Sequence, residues 1–208
     1  VPAPNLIAAL QPLVSRARTD VTAIKASTGM AWTREALTEV RLKRHLDGTM
    51  PRGVCPIKAG ESTTRIALFD LDSHKGATSW EQMVTVAVKI TDWLEANRGC
   101  FTIPFRSSGG NGIHLFVVWD EDQDAYSVRQ SMKHALAGVG LRDGAKGVAN
   151  QEVEVFPKQD SVPEHGFGNQ FILPLAGKSA PLEPLFDYEV MPREYALELV
   201  WTPSAPVP

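Results

Sequence analysis

The sequence predicts a mixed α and β fold in which helices cover a sheet, and three observations carry that prediction. The run "TRIALFDLD" (residues 64–72) is short, apolar and rich in strand formers, so it reads as a buried strand. Apolar residues from Trp80 to Leu94 then recur at helical spacing. Finally, the strand candidates "CFTIPF" (100–105) and "GIHLFVVW" (112–119) flank the glycine-rich "RSSGGN", and a second helical pattern follows from Asp124. At 208 residues, 43% hydrophobic and 22% charged, the chain can bury one sizeable core or two small ones that share a cleft.

In chain order, residues 1–60 read as a basic, largely helical N-terminal part, with a helix over "TREALTEVRLKRHL" (33–46). Gly48, Pro51 and Gly53 punctuate the chain before a short strand "VCPI" (54–57). Residues 61–180 form the motif-bearing core. There, Thr78 and Glu81 make a capping box, Trp80, Met83, Val84, Ala87, Ile90 and Leu94 share a helix face, and Gly99 stops the pattern. The helix from Asp124 presents Val128, Met132, Ala135, Leu136 and Val139 on one side, and strands near "QEVEVF" (151–156) and "NQFILPL" (169–175) follow. Residues 181–208 form a C-terminal segment with a proline-rich tail. The proline-marked ends, "VPAP" and "TPSAPVP", suit linkers, and together with the missing initiator methionine they suggest a single domain, residues 1–208, excised from a longer protein. No internal repeat is present.

Composition narrows the class. Cys55 and Cys100 form no CxxC and no framework spacing, which argues against a structural zinc site or a disulfide scaffold and suits a reducing, cytoplasmic compartment. No apolar run is long enough to span a bilayer, so no membrane partner is expected. Residues 1–65 carry ten Lys and Arg against five Asp and Glu, whereas the remainder is acidic. That polarity suits one part facing a polyanion and another holding cations, although solvated charge also produces it.

Three stretches carry the chemistry. Residues i and i+2 of a strand point to one face, so Asp70 and Asp72 project together while Phe69 and Leu71 face the opposite layer. Two ionised carboxylates so placed repel unless one is protonated, water screens both, or a divalent cation sits between them. Plain solvation at a strand end is the alternative. In "SSGGNGIH" (107–114), Ser107, Ser108, Gly109, Gly110, Asn111 and Gly112 form a turn whose backbone N–H groups can approach an anion, and His114 follows on the strand. A simple hairpin turn ending in a half-buried histidine is the alternative. No Lys-Ser/Thr follows the glycines and no helix comes next, which excludes a Walker A loop and a dinucleotide fingerprint. In "QEVEVFPKQD" (151–160), alternation places Glu152, Glu154 and Phe156 on one face and Val153 and Val155 on the other. One or both glutamates then face a cleft or an exposed edge, and Lys158 is either a neutraliser for phosphate or an ordinary surface lysine.

An acidic pair after an apolar strand, a Ser/Gly-rich turn ending in His, and an acid on a later strand resemble, in that order, the three motifs of the archaeo-eukaryotic primase (AEP) superfamily, the primase-polymerases. The flanks "HLDGTMPRGVCPI", "VFPKQD" and "GFGNQFILPL" are similar to the bacterial, phage and CRISPR-associated members, so the resemblance covers roughly residues 45–175. It implies an α+β fold, an AEP-like catalytic core with an N-terminal αβ unit packed on an RRM-like unit and the active site in the cleft between them. It further implies Asp70 and Asp72 as paired metal-binding acids, Glu154 as the third acid with Glu152 as its competitor, and His114 with Ser108 at the incoming triphosphate. Arg106, Asn111 and Lys158 become further phosphate contacts. The commoner "SGxGxH" pattern has serine where Gly109 stands, which leaves Ser107 and Ser108 both open.

The activity so implied is template-directed nucleotidyl transfer, DNA primase or polymerase, in a bacterial or phage-encoded protein. It joins dNTPs or NTPs on a DNA template or primer with two divalent ions, Mg²⁺ or Mn²⁺, and it leaves open a fused or associated helicase, reverse transcriptase or nuclease domain as partner. The chemistry explains the acidic pair: the attacking 3′-oxygen and the leaving pyrophosphate both need charge stabilisation, and carboxylates are the hard ligands that hold the ions. "DLD" also resembles the haloacid-dehalogenase phosphatases, but their motif carries Thr or Val where this chain has His74. The other rival is a non-catalytic nucleic-acid-binding module with an RRM-like sheet.

Overall fold

The computed structural model describes residues 5–26 and 29–208, so the "VPAP" reading lies outside the described residues. The N-terminal part contains α1 (Ile7–Val14), β1 (Thr22–Ala26), β2 (Gly29–Thr33), α2 (Glu39–Leu46) and β3 (Arg52–Val54). The core adds β4 (Thr63–Leu71), α3 (Trp80–Arg98), β5 (Ile103–Arg106), β6 (Ile113–Asp124), α4 (Ala125–Gly138), β7 (Arg142–Asp143) and β8 (Glu152–Phe156). After it come β9 (Phe171–Ile172), β10 (Ala180–Glu183) and β11 (Glu189–Val190). The strands form two sheets, β2-β1-β3-β9 and β11-β10-β5-β6-β4-β8-β7. This is an α+β, AEP-like arrangement.

The large sheet is buried on both faces, which is why "RIALF" reads as an unbroken apolar run. Ala67, Phe69 and Leu71 of β4, with Leu115 and Val117 of β6 and Val153 and Val155 of β8, pack under Met83, Ala87, Ile90 and Leu94 of α3 and Val128 and Met132 of α4. On the opposite face, Ile66, Leu68, Phe116, Val118 and Phe156 pack with Leu10 and Leu13 of α1 and with Phe171 of the smaller sheet. Toward the C-terminal end of β4 this second face turns polar, where Asp70 stands opposite His114 on β6 and Glu154 on β8.

Four expectations are corrected. Residues 1–60 are not largely helical, because the hairpin of β1 and β2 and strand β3 account for much of them. The expected helix over 33–46 starts only at α2: Thr33 pairs with Thr22 across the hairpin, and Thr38 supplies the cap by accepting from Arg41 N–H at 3.4 Å. The capping box of α3 is Ser79 with Gln82, not Thr78 with Glu81. Ser73 occupies Thr78, accepting from its N–H at 3.0 Å and donating to its carbonyl at 2.8 Å, so Thr78 is buried one residue ahead of the cap. The proline-rich C-terminal stretch, read as linker-like, docks along β6. Ser204 N–H donates to Val118, and Trp119 Nε1 to Ala205. No described helix is long and apolar enough to cross a membrane.

Candidate active site

The three sequence motifs meet at one end of the large sheet. Register sets Asp70 between His114 and Glu154 on adjacent strands, and Asp72 follows just past the end of β4. Asp70, Asp72 and Glu154 line one polar cavity of about 170 Å³, whose far wall is the loop bearing Gly144, Ala145 and Gly147. Each carboxylate has a cationic or imidazole neighbour. His114 Nε2 lies 3.3 Å from Asp70 Oδ1, His74 Nδ1 3.4 Å from Asp72 Oδ2, and Lys158 Nζ 2.5 Å from Glu154 Oε2. Burial pushes the Asp70 carboxyl up, but His114 first, then Lys158 and His74, outweigh it and hold its pKa below the ordinary 3.8.

The donor chemistry fits a hard divalent cation, since three carboxylates face one cavity. Among the described residues, no three His, Cys, Asp or Glu side chains already converge to hold one ion. Lys158, at Glu154, sets a cation directly beside the three carboxylates.

Glu152 takes another path although its Cα shares the face of Glu154. Its Oε1 accepts from Arg142 Nη2 at 2.9 Å and Nε at 3.1 Å, and its Oε2 accepts from the Lys146 N–H at 2.9 Å. Arg142 foremost, then that N–H, hold its carboxyl below the ordinary range. Glu152 therefore braces the 142–147 loop, the wall of the cavity, and is absent from the cavity lining.

The glycine-rich turn abuts the same end of β4. Gly112 packs on the Leu71 carbonyl, where an added Cβ would come within 2.6 Å, so only glycine permits this approach. Ser107 closes the turn: its Oγ accepts from Gly112 N–H at 3.0 Å and its carbonyl from Gly110 N–H at 3.0 Å. The Ser108 hydroxyl makes no side-chain hydrogen bond among the described residues, while its carbonyl accepts from Lys178 N–H. Arg106, anchored by its Nε to the Lys178 carbonyl at 2.8 Å, lines a larger cavity of about 410 Å³ together with Asn111, Gly110, Ser73, Thr78 and Trp80. The Asp72–Gly76 turn walls both cavities. His114 is buried, and its Nδ1 has no hydrogen-bond partner among the described residues.

The structure thus brings Asp70, Asp72 and Glu154 together around one cavity, with His114 against Asp70 and Lys158 against Glu154, and sets Arg106 and Asn111 beside the next. It turns Glu152 and the Ser107 hydroxyl to local bracing. Sequence reasoning missed His74 and the loop around Ala145. "DGAKG" held a signal for the loop, two glycines three apart before the acidic strand.

Among curated proteins none matches this sequence. Among solved structures, the polymerase domain of Ligase D from Mycobacterium tuberculosis, solved in complex with DNA, is similar with a TM-score of 0.55 and 15% identity, covering 92% of this chain and 85% of that one. At that identity the likeness is one of fold, and it agrees with the α+β core described above. The model of the archaeo-eukaryotic primase domain of TOTE conflict systems matches residues 11–183. That span holds all three motifs and most of both sheets, and the chain belongs to this archaeo-eukaryotic primase family, a family of primase-polymerase nucleotidyltransferases.

Proposed function

We propose that this chain is a template-directed nucleotidyltransferase, a DNA primase or polymerase that joins dNTPs or NTPs on a DNA template or primer. The observation that carries the reading is the alignment of Asp70 between His114 and Glu154, with Asp72 on the same cavity. The DNA in the complex of the ligase D polymerase domain supports the choice of partner.

Asp70, Asp72 and Glu154 would hold two divalent ions, Mg²⁺ or Mn²⁺. Bound there, the ions supply charge compensation for the attacking 3′-oxygen and the leaving pyrophosphate. The Ser108 hydroxyl, Arg106, Asn111 and the amides of the glycine turn offer donors to the triphosphate, and His114, held against Asp70, is assigned to the same group. Ser108 is preferred over Ser107 because the Gly112 N–H holds the Ser107 Oγ inside the turn, whereas the Ser108 hydroxyl makes no side-chain hydrogen bond among the described residues. Lys158 balances Glu154 at rest and is assigned as a further phosphate contact. The net positive residues 1–65 suit the template backbone.

The test is primer extension and de novo synthesis with labelled dNTPs or NTPs in Mg²⁺ or Mn²⁺. The parent should incorporate nucleotide. Asp70→Ala and Asp72→Ala should lose incorporation by at least about a hundredfold while keeping a cooperative unfolding transition. Retained incorporation by both variants would end this reading, and DNA binding by a parent that incorporates nothing would favour the non-catalytic module.

A further inference from the structure

We propose that His74 is a metal ligand: a nitrogen donor beside Asp72 that biases the carboxylate site toward Mn²⁺ over Mg²⁺. This rests on the proposed nucleotidyltransferase reading, in that it takes the Asp70, Asp72 and Glu154 carboxylates as a divalent-cation site, with His74 reaching it through its contact with Asp72 at the cavity's edge.

His74 stands two residues beyond Asp72 on a short 3-10 turn, His74–Gly76. Its Nε2 lies 2.7 Å from the Ala145 carbonyl oxygen. A carbonyl oxygen only accepts, so the ring hydrogen in that contact is on Nε2. A backbone carbonyl taking one ring N–H is the arrangement that fixes the tautomer and orientation of a metal-binding imidazole. The other nitrogen, Nδ1, faces Asp72 Oδ2 at 3.4 Å. Two donors that share one ion at about 2.1 Å each and at right angles stand roughly 3 Å apart. The pair is near that spacing.

The wall behind the ring is built to hold it there. Gly147 has φ +80°, and a Cβ on it would lie 3.0 Å from His74 Cδ2 and 2.7 Å from the Asp72 carbonyl. Val148 N–H donates to that carbonyl at 3.0 Å. Glu152, clamped by Arg142, takes the Lys146 N–H and so fixes the peptide next to Ala145. A chain of contacts from Arg142 through Glu152 and Ala145 thus sets the angle of the His74 ring.

A mere counter-ion for Asp72 would not need this support. Both side chains are about half exposed, at 50% and 52%, and an exposed pair contributes little. Ligation gives the brace a purpose, because ring orientation decides whether the Nδ1 lone pair points at the ion. Imidazole suits transition metals better than Mg²⁺, and an oxygen-rich set with one nitrogen suits Mn²⁺ among them.

The experiment loads the whole chain with Mn²⁺ alone and records pulsed electron paramagnetic resonance, which detects nitrogen bound to the ion. Calorimetry with Mn²⁺ and Mg²⁺ runs in parallel. Nitrogen coupling should appear in the parent and in His114→Gln and vanish in His74→Gln. His74→Gln should weaken Mn²⁺ by about tenfold and Mg²⁺ much less, and His74→Asp, which restores an oxygen donor, should narrow the preference for Mn²⁺. Coupling that survives in His74→Gln, or equal losses for both ions, overturns the proposal. Mn²⁺ binding that depends on Asp72 but shows no nitrogen coupling in the parent overturns it while leaving the nucleotidyltransferase reading intact. Absence of any Mn²⁺ binding that Asp72→Asn weakens overturns both.

Discussion

Lowering the pH from 7 to 5 should destabilise this protein through one buried histidine, His45. The imidazole is fully buried between α2 and the smaller sheet, its Nδ1 accepting from the Arg52 N–H at 2.9 Å and its Nε2 donating to the Pro174 carbonyl at 2.8 Å. Both nitrogens are committed, so a second ring proton would point at an N–H. Burial, reinforced by the Arg193 and Arg52 guanidinium groups, pulls the pKa from 6.5 down to about 4. The unfolded chain therefore takes up a proton below pH 6.5, whereas the folded chain does so only near pH 4. Between those values the unfolded state binds more protons, and stability falls as the pH falls. The stabilisation is complete above about pH 6.5 and is lost progressively toward pH 4. Integrated from pH 7 to pH 5, the shift gives a loss of about 2 kcal/mol, above the range where most carboxylates titrate. Urea unfolding at the two pH values measures it. The parent should lose about 2 kcal/mol more than His45→Asn, which keeps an acceptor for the Arg52 N–H but no titrating ring. An equal pH dependence in parent and variant would refute the reasoning, and His45→Gln provides a second comparison if Asn prevents folding.

The remaining predictions concern the cavity. Glu154→Gln should lose most of the single-turnover primer-extension rate across a Mn²⁺ titration, because a neutral amide cannot balance a divalent ion, whereas Glu152→Gln should cost far less. A severe defect confined to Glu152→Gln would show the third acid to be placed two residues out of register. Gly147→Ala should cost about 1–3 kcal/mol in urea unfolding, since φ 80° with ψ 171° is a region that only glycine adopts readily. The new Cβ would also press on the Asp72 carbonyl, so Mn²⁺ affinity should fall with it. Unchanged values in both measurements would mean that the loop does not support the carboxylates.

The sequence alone determined the parts whose signal is local and periodic. Strand β4, helices α3 and α4, and strands β6 and β8 were legible because their apolar residues repeat at a strand or helix period and end at Gly99 or Asp124, both of which the structure uses as helix caps. The order of Asp70, Asp72, His114 and Glu154 along the chain was enough to identify the family, and strand alternation placed Glu154 on the opposite face from Val153 and Val155. The tertiary structure decided what depends on long-range partners. The β1–β2 hairpin is short and carries no clean alternation, and its Thr33 left a helix-like run only by pairing with Thr22. "TSWEQ" fits two capping boxes, and only the contact of Ser73 with Thr78 selects Ser79. Glu152 and Glu154 share one strand face, and only Arg142 and the Lys146 N–H, brought in by the loop before β8, divert the first from the cavity. Ser107 and Ser108 are equivalent in sequence until the turn folds and Gly112 takes one hydroxyl. His74 was visible next to Asp72 from the start, but its orientation is fixed by the carbonyl of Ala145, far along the chain, and side-chain direction set by a distant backbone leaves no trace in the residues around it.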